Sequence, residues 1–158
     1  MLITRNAYYT LLAECVIVPP ESGGILGGHD SVVTTVLFDE NLIDLRYRNY
    51  SWSPNVSFLN DALERWESQG IEFLGIFHSH PSGKPNLSSP DENCIYRIMK
   101  SMPHRISRLY FPVVLPDVDV MTYAAERHDD TIRINADVTI VVTSMSQKET
   151  SSQRKEVN

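Results

Sequence analysis

The run His78-Ser79-His80-Pro81, followed by Ser88-Ser89-Pro90-Asp91, gathers two imidazoles and a carboxylate into one short stretch of chain. Those side chains ligate transition metals. A set of three leaves a fourth tetrahedral position open, the composition of a catalytic rather than a structural zinc site. Residues 71–77 read Ile-Glu-Phe-Leu-Gly-Ile-Phe, an apolar and aromatic run of the kind that forms a buried strand. Alternate side chains of a strand share a face, so His78 and His80 are expected to point the same way. After a loop carrying Pro81 and Pro85, Ser89-Pro90-Asp91-Glu92 reads as a helix start. Ser89 is expected as N-cap, Pro90 at the first helical position and Glu92 closing a capping box. Asp91 then falls in the first helical turn, where the loop can fold it back toward the histidines.

The rest of the chain supplies elements to position these groups. Thr4 can cap a first helix with Ala7, Tyr8, Leu11 and Leu12 on one face. Residues 31–38 are β-branched and apolar, a strand ending in a turn at Asp39-Glu40-Asn41, and residues 42–50 are a further expected strand. Phe58, Leu59, Ala62, Leu63 and Trp66 recur at helical spacing, and Gly70 marks that helix's stop. A helix is expected from Pro90 to about Met102. Strands are expected at 109–115, 120–125 and 131–142, parted by Pro116-Asp117 and His128-Asp129-Asp130. Helices interspersed with strands predict an α+β domain, a mixed β-sheet flanked by helices, over residues 1–143. Residues 144–158 are polar and lack aromatics, which predicts a disordered tail.

A further carboxylate lies upstream. Glu21 stands just before the glycine-rich run Gly23-Gly24-Ile25-Leu26-Gly27-Gly28. Taken with His-Ser-His-Pro, and with Ser88-x-x-Asp91 after the seven residues 81–87, this pattern resembles the signature of the JAB/JAMM metalloproteases, the catalytic branch of the MPN domain family. The helix-like stretch at 57–69 leading into Gly75-Ile76-Phe77-His78 is similar to the prokaryotic single-domain members. The resemblance spans about residues 2–142 and implies an MPN/JAB-like, three-layer architecture of the cytidine-deaminase kind. It also implies one Zn2+ held by His78, His80 and Asp91, with Glu21 and Ser88 as catalytic residues. Each has a plainer reading: the histidines as polar strand-end residues, Asp91 as a partner of the helix dipole, Glu21 as a surface carboxylate and Ser88 as a loop serine. The joint spacing favours the metal.

Composition fits a small enzyme. A chain of 158 residues with 42% hydrophobic and 22% charged residues can bury one core. Its net charge of −6 argues against nucleic acid or an anionic membrane as partner. No run is long enough to span a bilayer, and the amino terminus lacks a signal-peptide layout, so a cytoplasmic location is expected. Cys15 and Cys94 are read as free thiols, Cys94 on the helical face of Asp91 and so near the metal. His29, His104, His128, Glu72 and Lys84 are read as solvated.

Zinc held this way acidifies water and polarises a carbonyl. Glu21 can move a proton from that water to a leaving amine, and the Ser88 hydroxyl can donate to the oxyanion. The reaction is amide hydrolysis. The resemblance narrows the substrate to the peptide or isopeptide bond at the C-terminal tail of a ubiquitin-like protein, in maturation or deconjugation, held by strand addition. It also implies E1- and E2-like partners in a bacterial conjugation or defence system. Alternative readings are a non-catalytic MPN scaffold, or a metallopeptidase acting on sulfur-carrier proteins or cell-wall peptides. A cupin barrel also uses His-x-His, but its following Glu is missing here.

Overall fold

The computed structural model describes residues 1–15, 21–39, 52, 54–136 and 140–144. Among the described residues, eight strands form one mixed sheet: β1 (Leu2–Thr4), β2 (Gly23–His29), β3 (Val32–Phe38), β4 (Glu72–Ser79), β5 (Arg108–Leu115), β6 (Asp119–His128), β7 (Thr131–Asn135) and β8 (Val141–Thr143). Their spatial order is β7-β6-β5-β4-β2-β3-β1-β8. β4 lies near the centre, antiparallel to β2 and parallel to β5. Three α-helices, α1 (Arg5–Glu14), α2 (Val56–Ser68) and α3 (Ser89–Ser101), and a short 3-10 turn at Pro116–Val118 complete the described fold.

Helices cover both faces, so the domain has three layers. On one face Ala7 and Leu11 of α1 pack with Leu26, Val33, Phe77 and Val114. On the other, Ala62 and Trp66 of α2 and Ile95 and Met99 of α3 pack with Ile25, Ile76, Phe111 and Val113. Strand alternation divides β4 between the two cores: Ile76 faces α2 and α3, and Phe77 faces α1. The mixed sheet flanked by helices is therefore the observed architecture.

Local rules explain most boundaries. The Thr4 hydroxyl accepts the Ala7 N–H at 3.3 Å and caps α1. Asn55 caps α2 by accepting from Ser57 and Phe58. Gly70 follows that helix at φ 68, a conformation that favours glycine. The pairing of β2 with β4 shifts register between Leu26 and Gly27, beside Gly75, where a Cβ would lie 1.8 Å from the Tyr110 carbonyl oxygen.

Two expectations are corrected, and one strand, β1, was not foreseen. Residues 131–142 do not form one strand: β7 and β8 lie on opposite edges of the sheet, because the chain leaves β6's side after Asn135 and returns beside β1. β-branched composition reads alike for one long strand or two short ones. Strand β1 is three residues long, too short to show a period. At α3 the N-cap is Ser88, one residue earlier than expected, and Asp91 rather than Glu92 closes the capping box. The Glu92 N–H is already bonded to the Ser88 carbonyl at 3.0 Å, so it is not available to a Ser89 side chain. The expected strand at 42–50, Glu40 and Asn41 of the expected turn, and residues 145–158 of the tail lie outside the described residues. No helix among the described residues is long and apolar enough to cross a membrane.

Candidate metal centre

β4 carries the two histidines to the end of the sheet. The backbone continues its pairing past the strand, with the His80 N–H donating to the Val114 carbonyl at 2.8 Å. Both rings are buried, and their Nε2 atoms lie 2.9 Å apart. The capping box of α3 brings Asp91 to the same point: Oδ1 lies 3.6 Å from His78 Nε2 and Oδ2 lies 3.5 Å from His80 Nε2. The ligand atoms of His78, His80 and Asp91 all fall within 4.8 Å of one another, a group that could hold a metal ion. Glu21 enters from the chain leading into β2, with Oε1 3.9 Å from His80 Nε2. The structure thus brings together four of the five residues singled out by sequence, with Ser88 directly behind Asp91.

Ser88 is occupied with Asp91. Its hydroxyl donates to Asp91 Oδ2 at 2.6 Å, its N–H donates to the same oxygen at 2.6 Å, and its Oγ accepts the Asp91 N–H at 3.3 Å. These bonds orient a carboxylate for ligation. A role at an oxyanion requires the hydroxyl to turn away from Asp91.

The histidine tautomer is set from behind. His80 Nδ1 donates to the Lys84 carbonyl at 2.7 Å, which leaves Nε2 to face Asp91. The loop that presents this carbonyl is itself tied down, since the Tyr123 hydroxyl donates to the Pro85 carbonyl at 2.8 Å. The Lys84 side chain is exposed, as expected, and its contribution is a main-chain one that residue type does not disclose. His29, His104, His128 and Glu72 are exposed as well.

Electrostatics follow from this geometry. Burial pushes the Asp91 carboxyl up, but hydrogen bonds from His78, His80 and Ser88, with the charge of His78, hold it well below the usual carboxylate range. Burial pulls His80 down, yet the Asp91 and Lys84 hydrogen bonds and the Glu21 and Asp91 charges leave it raised. Burial pushes the Cys15 thiol up to about 11, against hydrogen bonds from Ser22 and Ser79. Burial also raises Cys94, against the nearby Arg97 charge. Both cysteines are free.

Two supports escaped sequence reading. Ser79 is fully buried on the α1 face, opposite the histidines, and its hydroxyl accepts the Ser22 N–H at 2.9 Å. The Ser79 N–H returns to the Ser22 carbonyl at 2.8 Å, so the residue after Glu21 is fastened to the residue between the histidines. Trp52 is the other: its backbone N–H donates to Glu21 Oε2 at 2.9 Å and its ring lies nearly parallel to that of His78. No periodicity or motif marks Trp52, whereas Ser79 could have been found from its place between two inward-facing residues. Beside the centre, a cavity of about 440 Å³ runs between Trp52 and α3, lined by His78, Asp91, Cys94, Arg97, Ile98 and Phe111 among others.

The chain resembles solved structures along nearly its whole length. A solution structure from Desulfitobacterium hafniense matches with a TM-score of 0.64 and 19% identity, covering 94% of this chain and 96% of that one. A solution structure from Salinibacter ruber matches with a TM-score of 0.51 and 17% identity, covering 94% of each chain. A JAB1/MPN domain protein from Archaeoglobus fulgidus matches with a TM-score of 0.48 and 20% identity, over 78% of this chain and 88% of that one. No match was found among curated proteins. The family model described as prokaryotic homologs of the JAB domain matches residues 10–133, a span that holds β2, β4, the His78–His80–Asp91 cluster and Glu21. With most of its length matched by that model, the chain belongs to the family of prokaryotic JAB-domain proteins.

Proposed function

We propose that this chain is a zinc-dependent hydrolase of the peptide or isopeptide bond at the C-terminal tail of a ubiquitin-like protein. The observation that carries the reading is the meeting of His78, His80 and Asp91 with Glu21 beside them, in a JAB-family domain. The donor set fits zinc. Tetrahedral zinc with bonds of about 2.0–2.1 Å sets its ligand atoms about 3.3–3.5 Å apart. The two His–Asp separations, 3.6 and 3.5 Å, lie close to that spacing. The 2.9 Å between the two Nε2 atoms is shorter than that spacing.

When bound, zinc supplies a Lewis acid that polarises the amide carbonyl and makes water a stronger acid. The chain's own groups do the rest. Glu21 Oε1, facing His80, accepts a proton from the attacking water and passes it to the leaving nitrogen, so one amide and one water become a carboxylic acid and an amine. Ser88 holds Asp91, and the Lys84 carbonyl holds His80 in the tautomer that offers Nε2. The cavity between Trp52 and α3 offers an apolar wall to a residue flanking the cleaved bond, and strand addition is the mode in which an extended tail would be held. E1- and E2-like enzymes of the same system are the partners this reading expects.

The test is a reporter fused after the tail of a ubiquitin-like carrier protein, with the cut located by mass spectrometry. Cleavage directly after the carrier's last residue is expected. Glu21→Ala should slow it about 10²–10⁴-fold while zinc content stays at wild-type level. Activity on cell-wall peptides with none on such carriers would reassign the substrate, and full turnover in Glu21→Ala would remove Glu21 from proton transfer.

A further inference from the structure

Trp52 touches both halves of the candidate centre. Its backbone N–H donates to Glu21 Oε2 at 2.9 Å, while Glu21 Oε1 is the oxygen that faces His80, at 3.9 Å. Its ring is inclined only 13° to the His78 ring, with centroids 6.3 Å apart. Beneath the ring lies Gly23, the register partner of His78 across β2 and β4. A Cβ at Gly23 would sit 2.6 Å from the Trp52 ring and 2.6 Å from the Phe77 carbonyl oxygen, so only glycine lets the indole settle there.

We propose that Trp52 is a positioning residue that fixes the Glu21 carboxylate relative to His78, dividing the work of the two carboxylate oxygens. This rests on the reading of Glu21 as the proton-transfer group. A glutamate side chain free to rotate spends little of its time with an oxygen at the reacting atoms. The fixed N–H of Trp52 holds one oxygen and thereby aims the other. Because the donor belongs to the main chain, it stays in place only while the ring is seated on Gly23 and against His78. The side chain thus acts through its own backbone.

The Trp52 indole nitrogen is buried with no hydrogen-bond partner among the described residues. Phenylalanine removes that donor and keeps a flat ring, so Trp52→Phe is expected to fold and to retain the arrangement. Trp52→Ala removes the seat. Amide hydrogen exchange, read by NMR at residue 52 and independent of activity, reports the hydrogen bond. Exchange there should accelerate about tenfold or more in Glu21→Ala, whose tryptophan is intact, and equally in Trp52→Ala. It should stay slow in Trp52→Phe. Turnover should fall about 10²-fold in Trp52→Ala and stay within about threefold of wild type in Trp52→Phe. The double variant Glu21→Ala, Trp52→Ala should be no more than about twofold slower than Glu21→Ala, because two residues acting through one group are not additive.

Unchanged exchange at residue 52 in Glu21→Ala overturns the proposal. So does undiminished turnover in a folded Trp52→Ala, or full additivity in the double variant. A wild-type chain that hydrolyses no peptide or isopeptide bond, with the exchange coupling present, overturns the hydrolase reading and supports the hold of Trp52 on Glu21.

Discussion

Ser88 shows how one hydroxyl can be claimed by two roles that geometry separates. It donates to Asp91 Oδ2 at 2.6 Å, and its own amide donates to the same oxygen. A group that orients a ligand should cost metal affinity when removed. Ser88→Ala is therefore expected to weaken zinc binding about 10–100-fold in a chelator competition, with secondary structure retained. Unchanged affinity with a fall in kcat would instead return Ser88 to the oxyanion. His78, His80 and Asp91 were legible in sequence because ligand chemistry is written in side chains and their spacing. The Lys84 carbonyl and the Trp52 N–H were not legible, because every residue but proline carries both groups and only the fold chooses which of them serve.

Strand β4 serves two layers at once. His78 and His80 face α3, and Ser79 between them turns toward α1, where it meets Ser22 beside the buried Cys15. The strand and the helix were readable from an apolar run and a capping pattern. The exact cap was not, since Ser88 and Ser89 are the same residue type and only the hydrogen bonds decide between them. Likewise β7 and β8 could not be told from one strand, because edge placement is a property of the sheet rather than of any segment. Ser79→Ala would remove the hydrogen bond that the Ser79 hydroxyl accepts from the Ser22 N–H in a part-buried site. A loss of about 1–3 kcal/mol in denaturant unfolding is expected, with zinc stoichiometry preserved. A neutral Ser79→Ala would show that this tie between β4 and the start of β2 is dispensable.

At the scale of the whole molecule, the centre couples stability to pH through two groups of opposite sign. The Asp91 pKa is depressed in the folded chain, so its contribution is present above its unfolded value near 4 and is lost as pH falls through the folded value. The His80 pKa is raised, so its contribution is present below about 6.5 and is lost as pH rises through the folded value. The metal-stripped chain should draw most stability from this pair between about pH 4 and 6.5. Zinc needs His80 without its Nε2 proton, so its stabilisation should grow as the other declines. Thermal melts of stripped and zinc-loaded protein from pH 4 to 8 check this: the zinc-dependent rise in Tm should widen with pH. A shift that is constant, or that narrows, would place the metal elsewhere.

The three candidate ligands lie on one continuous piece of chain, β4, its loop and the first turn of α3, whereas Glu21 is brought to them by long-range contacts, a strand pairing that joins Ser22 to a residue 57 positions away and the Trp52 N–H. These two parts of the centre differ in the length of loop that must close before they exist. Short closures form early, and distant pairings wait for the sheet. In refolding experiments with zinc present, metal uptake should therefore appear ahead of the Trp52–Glu21 contact and of any turnover. Partly folded chain would then hold metal without the carboxylate proposed to move the proton, a delay that would withhold the proposed hydrolysis until the domain is whole.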